Sequence, residues 1–183
     1  MRKIRRFVKW LLFFIAVFAG GIVYYQPPGL DFLNMNRSKA EIVKIVDGDT
    51  FEIRYQGKIE KVRLIGIDTP EAHANAKAEK DAARTGADIK VIVKQGNESK
   101  NFVKQLVSEG AQVKVEIDVN ERDKSGRLLS YLYFEDVRMI NEEIVKAGYA
   151  NLMTYPPNVK YKDRFLSAYR FARENKKGLW SEK

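Results

Sequence analysis

The 183-residue chain is 45% apolar and 31% charged, a balance that suits a folded body rather than a disordered tail. It holds no cysteine and one histidine, which excludes disulfide frameworks, thiolate nucleophiles, cysteine-ligated zinc and any metal site needing two histidines from one chain. The formal charge of +9 is uneven: residues 1–25 carry five basic groups and no acid, leaving 28 basic against 24 acidic residues elsewhere, a modest excess compatible with a polyanionic ligand.

The first predicted element is apolar. Residues 10–25, WLLFFIAVFAGGIVYY, contain no charge. As a helix they cover about 24 Å, close to a ~30 Å hydrocarbon core once Phe7 and Val8 are counted and Lys9 snorkels. Trp10 and the Tyr24–Tyr25 pair stand where an interfacial aromatic belt would, and the basic cluster before them would stay cytoplasmic. A cleaved signal peptide is the alternative reading, with Val17 and Ala19 as a processing site ahead of Gly20. Under both readings the body of the chain is exported. The expected organisation is therefore a signal-anchor or transmembrane segment over 1–25, a linker over 26–39, and one domain over 40–182.

Within that domain, EIVKIVD, TFEIRYQ and KIEKVRLIGID are three β-rich runs separated by DGD and QG, the pattern of a meander. The stretch 77–96, KAEKDAARTGADIKVIVKQG, mixes helix-like and strand-like pieces and reads as an exposed insertion. Asn97 is a candidate cap for a helix through ESKNFVKQLVSEG, with Phe102, Val103, Leu106 and Val107 on one apolar face and Gly110 as its stop. AQVKVEIDV and RLLSYLYFE are two further strands. INEEIVKAG predicts a short helix ending at Gly148, and YKDRFLSAYRFARENKKG a longer one with Phe165, Ala168, Tyr169 and Ala172 inward. The expected fold class is α+β: a five-stranded OB-fold β-barrel with three α-helices, preceded by one N-terminal hydrophobic helix.

Three acids fall at strand ends. Asp49 comes after a turn glycine, Asp68 closes RLIGID, and Glu71 stands just past the Thr69–Pro70 bend. Like charges gathered together require a positive partner, and a hard divalent cation with oxygen ligands supplies one. Calcium or magnesium then outranks zinc or copper, and the Thr69 carbonyl is a further oxygen donor. Arg63, within the strand, and Arg127, after the KSG turn, could meet over one anion. Two guanidinium forks facing a metal suit a phosphodiester. Each feature alone has a plainer reading: DGDT as a turn, Arg127–Asp123 as a surface ion pair, and Tyr131 with Tyr133 as core packing. His73 reads as a loop bystander, since no GxSxG elbow accompanies it.

In combination and in order, VDGDT, VRLIGIDTPE, DKSGR with LLSYLY after it, INEEIVKAGYA and the closing KKGLW resemble the thermonucleases, the staphylococcal-nuclease-like family, over roughly residues 40–182. The resemblance implies an OB-fold barrel with three helices and a calcium-dependent phosphodiesterase acting on DNA and RNA, with products carrying a 3′-phosphate. By position, Asp49, Asp68 and the Thr69 carbonyl look like calcium ligands, and Glu71 like the residue that orients or deprotonates the attacking water. Arg63 and Arg127 resemble the phosphate-clamping arginines. Lys124 and Tyr155 match positions that contact the nucleotide.

Two departures stand out: Ser125 and Met153 occupy positions where similar nucleases place tyrosines, which puts nucleotide affinity and base preference in question. YPPN keeps the family's proline turn, with Pro157 a candidate for a cis bond. The implied partners are nucleic acid, preferably single-stranded or unstacked, and a membrane through residues 7–25, with the protein a monomer. Competing classes are a non-catalytic OB module that only binds nucleic acid and a membrane-anchored cell-wall protein.

Overall fold

A computed structural model describes residues 37–181 and, upstream, the backbone of Ile15–Phe18 and Gly21–Tyr24. The chain divides into two compact units, Met1–Met35 and Asn36–Lys183. In the first, Ile15–Phe18 (β1) and Gly21–Tyr24 (β2) pair antiparallel, from Ile15 opposite Tyr24 to Phe18 opposite Gly21. The expected helix over 7–25 therefore differs at these eight residues, where β-branched Ile15, Val17, Ile22 and Val23 favour extended backbone. The rest of that expectation lies outside the described residues. Among the described residues, no helix is long and apolar enough to cross a membrane.

In the second unit, Ser38–Asp47 (β3), Thr50–Tyr55 (β4) and Lys58–Leu64 (β5) form the expected meander. The turn between β4 and β5 uses Gln56 (φ 50°) and Gly57 (φ 78°), the left-handed pair that matches the twist of a two-residue hairpin. The third run breaks at Ile65. Beyond it Gly66–Asp68 (β6) leaves the barrel and pairs instead with Asn151–Met153 (β9). Gly66 makes the break possible: its φ is +85°, and a Cβ there would lie 2.3 Å from the Phe165 ring. Gln112–Glu116 (β7) and Leu128–Tyr133 (β8) complete a closed barrel in the order β3-β4-β5-β8-β7, with β5 and β8 parallel and the other pairs antiparallel.

Four α-helices, not three, are present among the described residues. Ala76–Thr85 (α1) and Ile89–Leu106 (α2) occupy the stretch expected to be an insertion, and α2 starts well before Asn97. Asn75 caps α1 by accepting from the Lys77 and Ala78 amides, Gly86 ends it at φ 71°, and Asp88 caps α2. The strand-like IKVIVK lies in α2 because Ile92, Gly96, Ser99 and Val103 share one buried helical face. Ile140–Lys146 (α3) and Lys162–Glu174 (α4) form as expected, α4 burying Phe165, Ala168 and Ala172. The Pro156–Pro157 bond is cis.

The barrel interior is filled by Ile42, Phe51, Ile53, Val62, Leu64, Val113, Val115 and Leu132, against which Val103, Ile140 and Ile144 pack from the helices. Tyr131 and Tyr133 are buried, with Tyr131 set edge-on to Tyr161. Two polar devices lock the assembly. Asn141 on α3 is fully buried; its carbonyl accepts from the Leu132 amide at 3.0 Å, and its Nδ2 donates to the Ile65 carbonyl at 3.0 Å, at the strand break. Glu116 accepts from Arg37 Nε (2.9 Å), Tyr161 (2.8 Å) and Lys160, while the Arg37 guanidinium lies 3.5 Å from the Tyr133 ring centroid. Burial pushes the Glu116 carboxyl up, but these donors and the Lys160 charge outweigh it and hold the pKa below the usual 4.5.

Replacing Asn141 by Leu strands a buried amide and a carbonyl at about 1–3 kcal/mol each, so urea unfolding should show a loss of about 3 kcal/mol. Because the folded-state pKa of Glu116 is depressed, its contribution is full above 4.5 and is lost as pH falls through the lower folded value. The stability gap between the wild-type protein and Glu116→Gln should therefore be widest above 4.5 and shrink below it in pH-dependent thermal melts.

Candidate active site

Asp49 is positioned first. Asp47 faces Thr50 across a two-residue turn, and Asp47 Oδ1 accepts from the Gly48 amide at 2.9 Å. Glycine is required at 48 because a Cβ would come within 2.8 Å of the Thr69 side chain. The Asp49 side chain is buried, and buried polar oxygens need hydrogen-bond partners. It is satisfied by Thr50 Oγ1 (3.0 Å), the Thr69 amide (2.8 Å), Thr69 Oγ1 (3.1 Å) and Arg63 Nη1. The turn, the barrel strand β5 and the segment after β6 thus meet on one carboxylate.

Asp68 ends β6, opposite Asn151 in the ladder with β9, and accepts from Arg63 Nη2 at 2.5 Å. A single guanidinium therefore bridges Asp49 and Asp68. Burial opposes its charge, but the two aspartates outweigh burial and hold the Arg63 pKa above its ordinary value.

Glu71 sits after the Thr69–Pro70 bend, with α2 packed against its backbone. Gly96 approaches so closely that a Cβ would lie 2.2 Å from the Glu71 carbonyl, and Asn97 Nδ2 donates to the Ala72 carbonyl at 3.1 Å. At the carboxylate, Asn75 Nδ2 donates to Glu71 Oε2 (2.8 Å) and Lys77 Nζ to Oε1 (2.8 Å). Burial raises the Glu71 pKa, but the Lys77 and Asn75 hydrogen bonds and the charges of Lys77 and Arg63 outweigh it, leaving the pKa below 4.5. Lys77 Nζ also reaches Asp68 Oδ1 and the Thr69 carbonyl, both at 3.1 Å. Among the described residues, no three acidic or histidine side chains cluster tightly enough to enclose a metal ion unaided. Arg63 and Lys77 stand between the oxygens instead.

Beside this cluster opens a cleft of about 890 Å³ that includes Arg63, Asp68, Lys77, Lys124, Arg127 and Tyr155 in its lining. The parallel register of Val62 with Leu128 brings Arg127 to the same end of the barrel as Arg63. Arg127 lines this cleft together with Arg63. Its Nε donates to Asp123 Oδ2 at 2.7 Å, the ion pair of the plainer sequence reading, and from there it contributes to the cleft lining. Tyr155 is 69% exposed at the rim. His73 is exposed in a loop.

A family model described as staphylococcal nuclease homologue matches residues 61–182. The chain belongs to that family. The thermonuclease of Staphylococcus hyicus is 32% identical over 148 residues, covering 81% of this chain and 79% of the relative. That of Staphylococcus intermedius is 33% identical, covering 79% and 77%, and endonuclease YncB of Bacillus subtilis is 33% identical, covering 76% and 60%. As a member of the staphylococcal nuclease homologues, the protein is a hydrolase of the nuclease class.

Ser125 and Met153, the two departures noted in the sequence, both line the cleft. The residue that the sequence reading misses is Lys77. Its signal is present: Asn75 as a cap, an alanine-rich run, and Gly86 as a stop define α1, and Lys77, Lys80 and Arg84 recur at helical spacing along the cleft. Gly96→Ala should push the Glu71 backbone outward while leaving the barrel intact. Turnover on nucleic acid should fall on the order of 10²-fold, with near-native circular dichroism.

Proposed function

We propose that this protein is a calcium-dependent, exported nuclease that hydrolyses phosphodiester bonds in DNA and RNA and leaves 3′-phosphate ends. The observation that carries the reading is the meeting of Asp49, Asp68, Thr69 and Glu71 around Arg63 and Lys77, with Arg63, Asp68 and Lys77 also lining a cleft that holds Arg127, Lys124 and Tyr155. The donor set fits a hard cation: carboxylate oxygens of Asp49 and Asp68 and the Thr69 carbonyl, with no thiolate in the chain and the only histidine elsewhere. Bound there, calcium would supply positive charge to a non-bridging phosphate oxygen.

The chain's own residues account for the remaining chemistry. Glu71, ionised at neutral pH, accepts a hydrogen bond from the water and aligns it in line with the P–O5′ bond. Arg63 keeps Nη1 on Asp49 and Nη2 on Asp68 and offers only its remaining N–H groups to the phosphate, and Arg127, held through Nε by Asp123, offers its terminal amino groups to the charge that builds at phosphorus. Water oxygen bonds to phosphorus as the P–O5′ bond breaks; the proton that the water loses passes to bulk solvent, and the leaving 5′-oxygen takes up one proton from the same solvent to become a hydroxyl. Lys124 and Tyr155 receive the neighbouring nucleotide, Tyr155 by stacking on an unpaired base, which supports a preference for single strands. The uncharged run 10–25 behind five basic residues supports export, with the domain outside a membrane anchored through residues 7–25 or released after cleavage near Ala19, as a monomer.

The test is digestion of denatured DNA and of RNA with and without a calcium chelator, with analysis of the fragment ends. Cleavage that requires calcium and leaves phosphatase-sensitive 3′ ends is the expected result; binding without cleavage, or chelator-resistant cleavage, rejects it. Glu71→Gln should lower kcat by about 10²–10⁴-fold with substrate binding retained, and unchanged turnover would remove Glu71 from the scheme.

A further inference from the structure

Lys77 has no place in the hydrolytic scheme, yet its ammonium sits at the centre of the acidic oxygens. Nζ lies 2.8 Å from Glu71 Oε1, 3.1 Å from Asp68 Oδ1 and 3.1 Å from the Thr69 carbonyl. Two of these groups, Asp68 and the Thr69 carbonyl, belong to the proposed calcium site. We propose that Lys77 is a resident counter-cation of this site, which a divalent ion must displace, and that α1 thereby sets the affinity of the protein for calcium. The proposal rests on the reading of Asp49, Asp68 and Thr69 as the calcium-holding groups.

Lys77 is the cation able to leave. Arg63 belongs to a barrel strand, its side chain is 13% exposed, and its fork is committed to two aspartates at once. Lys77 is 34% exposed, on a flexible stem at the first turn of a peripheral helix. It also has somewhere to go: Asp81 Oδ2, one turn along α1, is 3.8 Å from Nζ. Charge favours the exchange. Asp49, Asp68 and Glu71 exceed Arg63 and Lys77 by one negative charge, and replacing the ammonium with a divalent ion neutralises the group. The competent state is only the fraction of molecules with the ammonium swung out, so apparent affinity is reduced by that fraction.

The test uses the full chain in detergent micelles at fixed ionic strength, titrated with calcium chloride by calorimetry and, in parallel, melted with and without calcium. Lys77→Met should bind calcium at least about tenfold more tightly than the wild-type protein, and calcium should raise its melting temperature by more. Asp81→Asn, which removes the landing place and leaves Lys77 in position, should weaken calcium binding severalfold, a change of opposite sign. Lys94→Met, a charge change outside the cleft, should leave affinity within about twofold. Equal or weaker binding by Lys77→Met overturns the gate while the calcium site stands. If neither the wild-type protein nor any variant binds calcium, the calcium reading fails and the gate with it. Should Lys77→Met fail to fold, Lys77→Gln and Asp81→Asn decide by the same two signs.

Discussion

The Asp49 carboxylate is the point on which the site depends. It is buried, and its two oxygens are claimed by the Thr50 hydroxyl, the Thr69 amide and hydroxyl, and Arg63. A buried carboxylate that keeps its charge must be met by donors on all sides, and here they come from three separate stretches of chain. The same interactions that make the ion tolerable fix the position of the β3–β4 turn, the β5 strand and the Thr69–Glu71 bend relative to each other. Arg63 then extends the lock to Asp68. The site is therefore held by charge neutralisation inside the fold as well as by apolar packing beneath it.

Positive groups inside the cluster shape what it can do. With Arg63 between two aspartates and Lys77 among Asp68, Thr69 and Glu71, the carboxylates are not a set of bare repelling charges. The cleft beside them has a mixed wall, with Lys80 and Arg84 on α1 and Arg122, Lys124 and Arg127 from the 120s loop. Such a wall suits a polyanionic strand, and part of the basic excess of the chain is concentrated where it is useful.

Much of the arrangement is legible in the sequence. Alternating apolar residues with DGD and QG punctuation mark three strands, and DTPE marks the bend that carries Asp68 and Glu71 to one place. The three acids can be read as a neighbourhood, although its internal cation cannot, because a lysine six residues beyond Glu71 points to it only once Asn75 is seen to start a helix. The stretch 77–96 misleads for a physical reason. IKVIVK has strand propensity, but tertiary burial of Ile92, Gly96, Ser99 and Val103 on one face overrides it. Arg127 shares the cleft lining with Arg63, and Asp123, four residues before it, pairs with its Nε. Short-range pairing of this kind is visible in sequence spacing and competes with any longer-range role.

The run from Lys58 to Asp68 changes partners at Gly66: its first part belongs to the barrel and its last three residues to a separate ladder with Asn151–Met153. Arg63 is therefore carried by one hydrogen-bonded network and Asp68 by another, with a glycine as the seam. The seam is covered by packing, since Gly66, Ile67 and Asp68 are all buried. A change on either side of Gly66, in the barrel or in the β6–β9 ladder, would therefore shift one partner of the Arg63–Asp68 ion pair relative to the other.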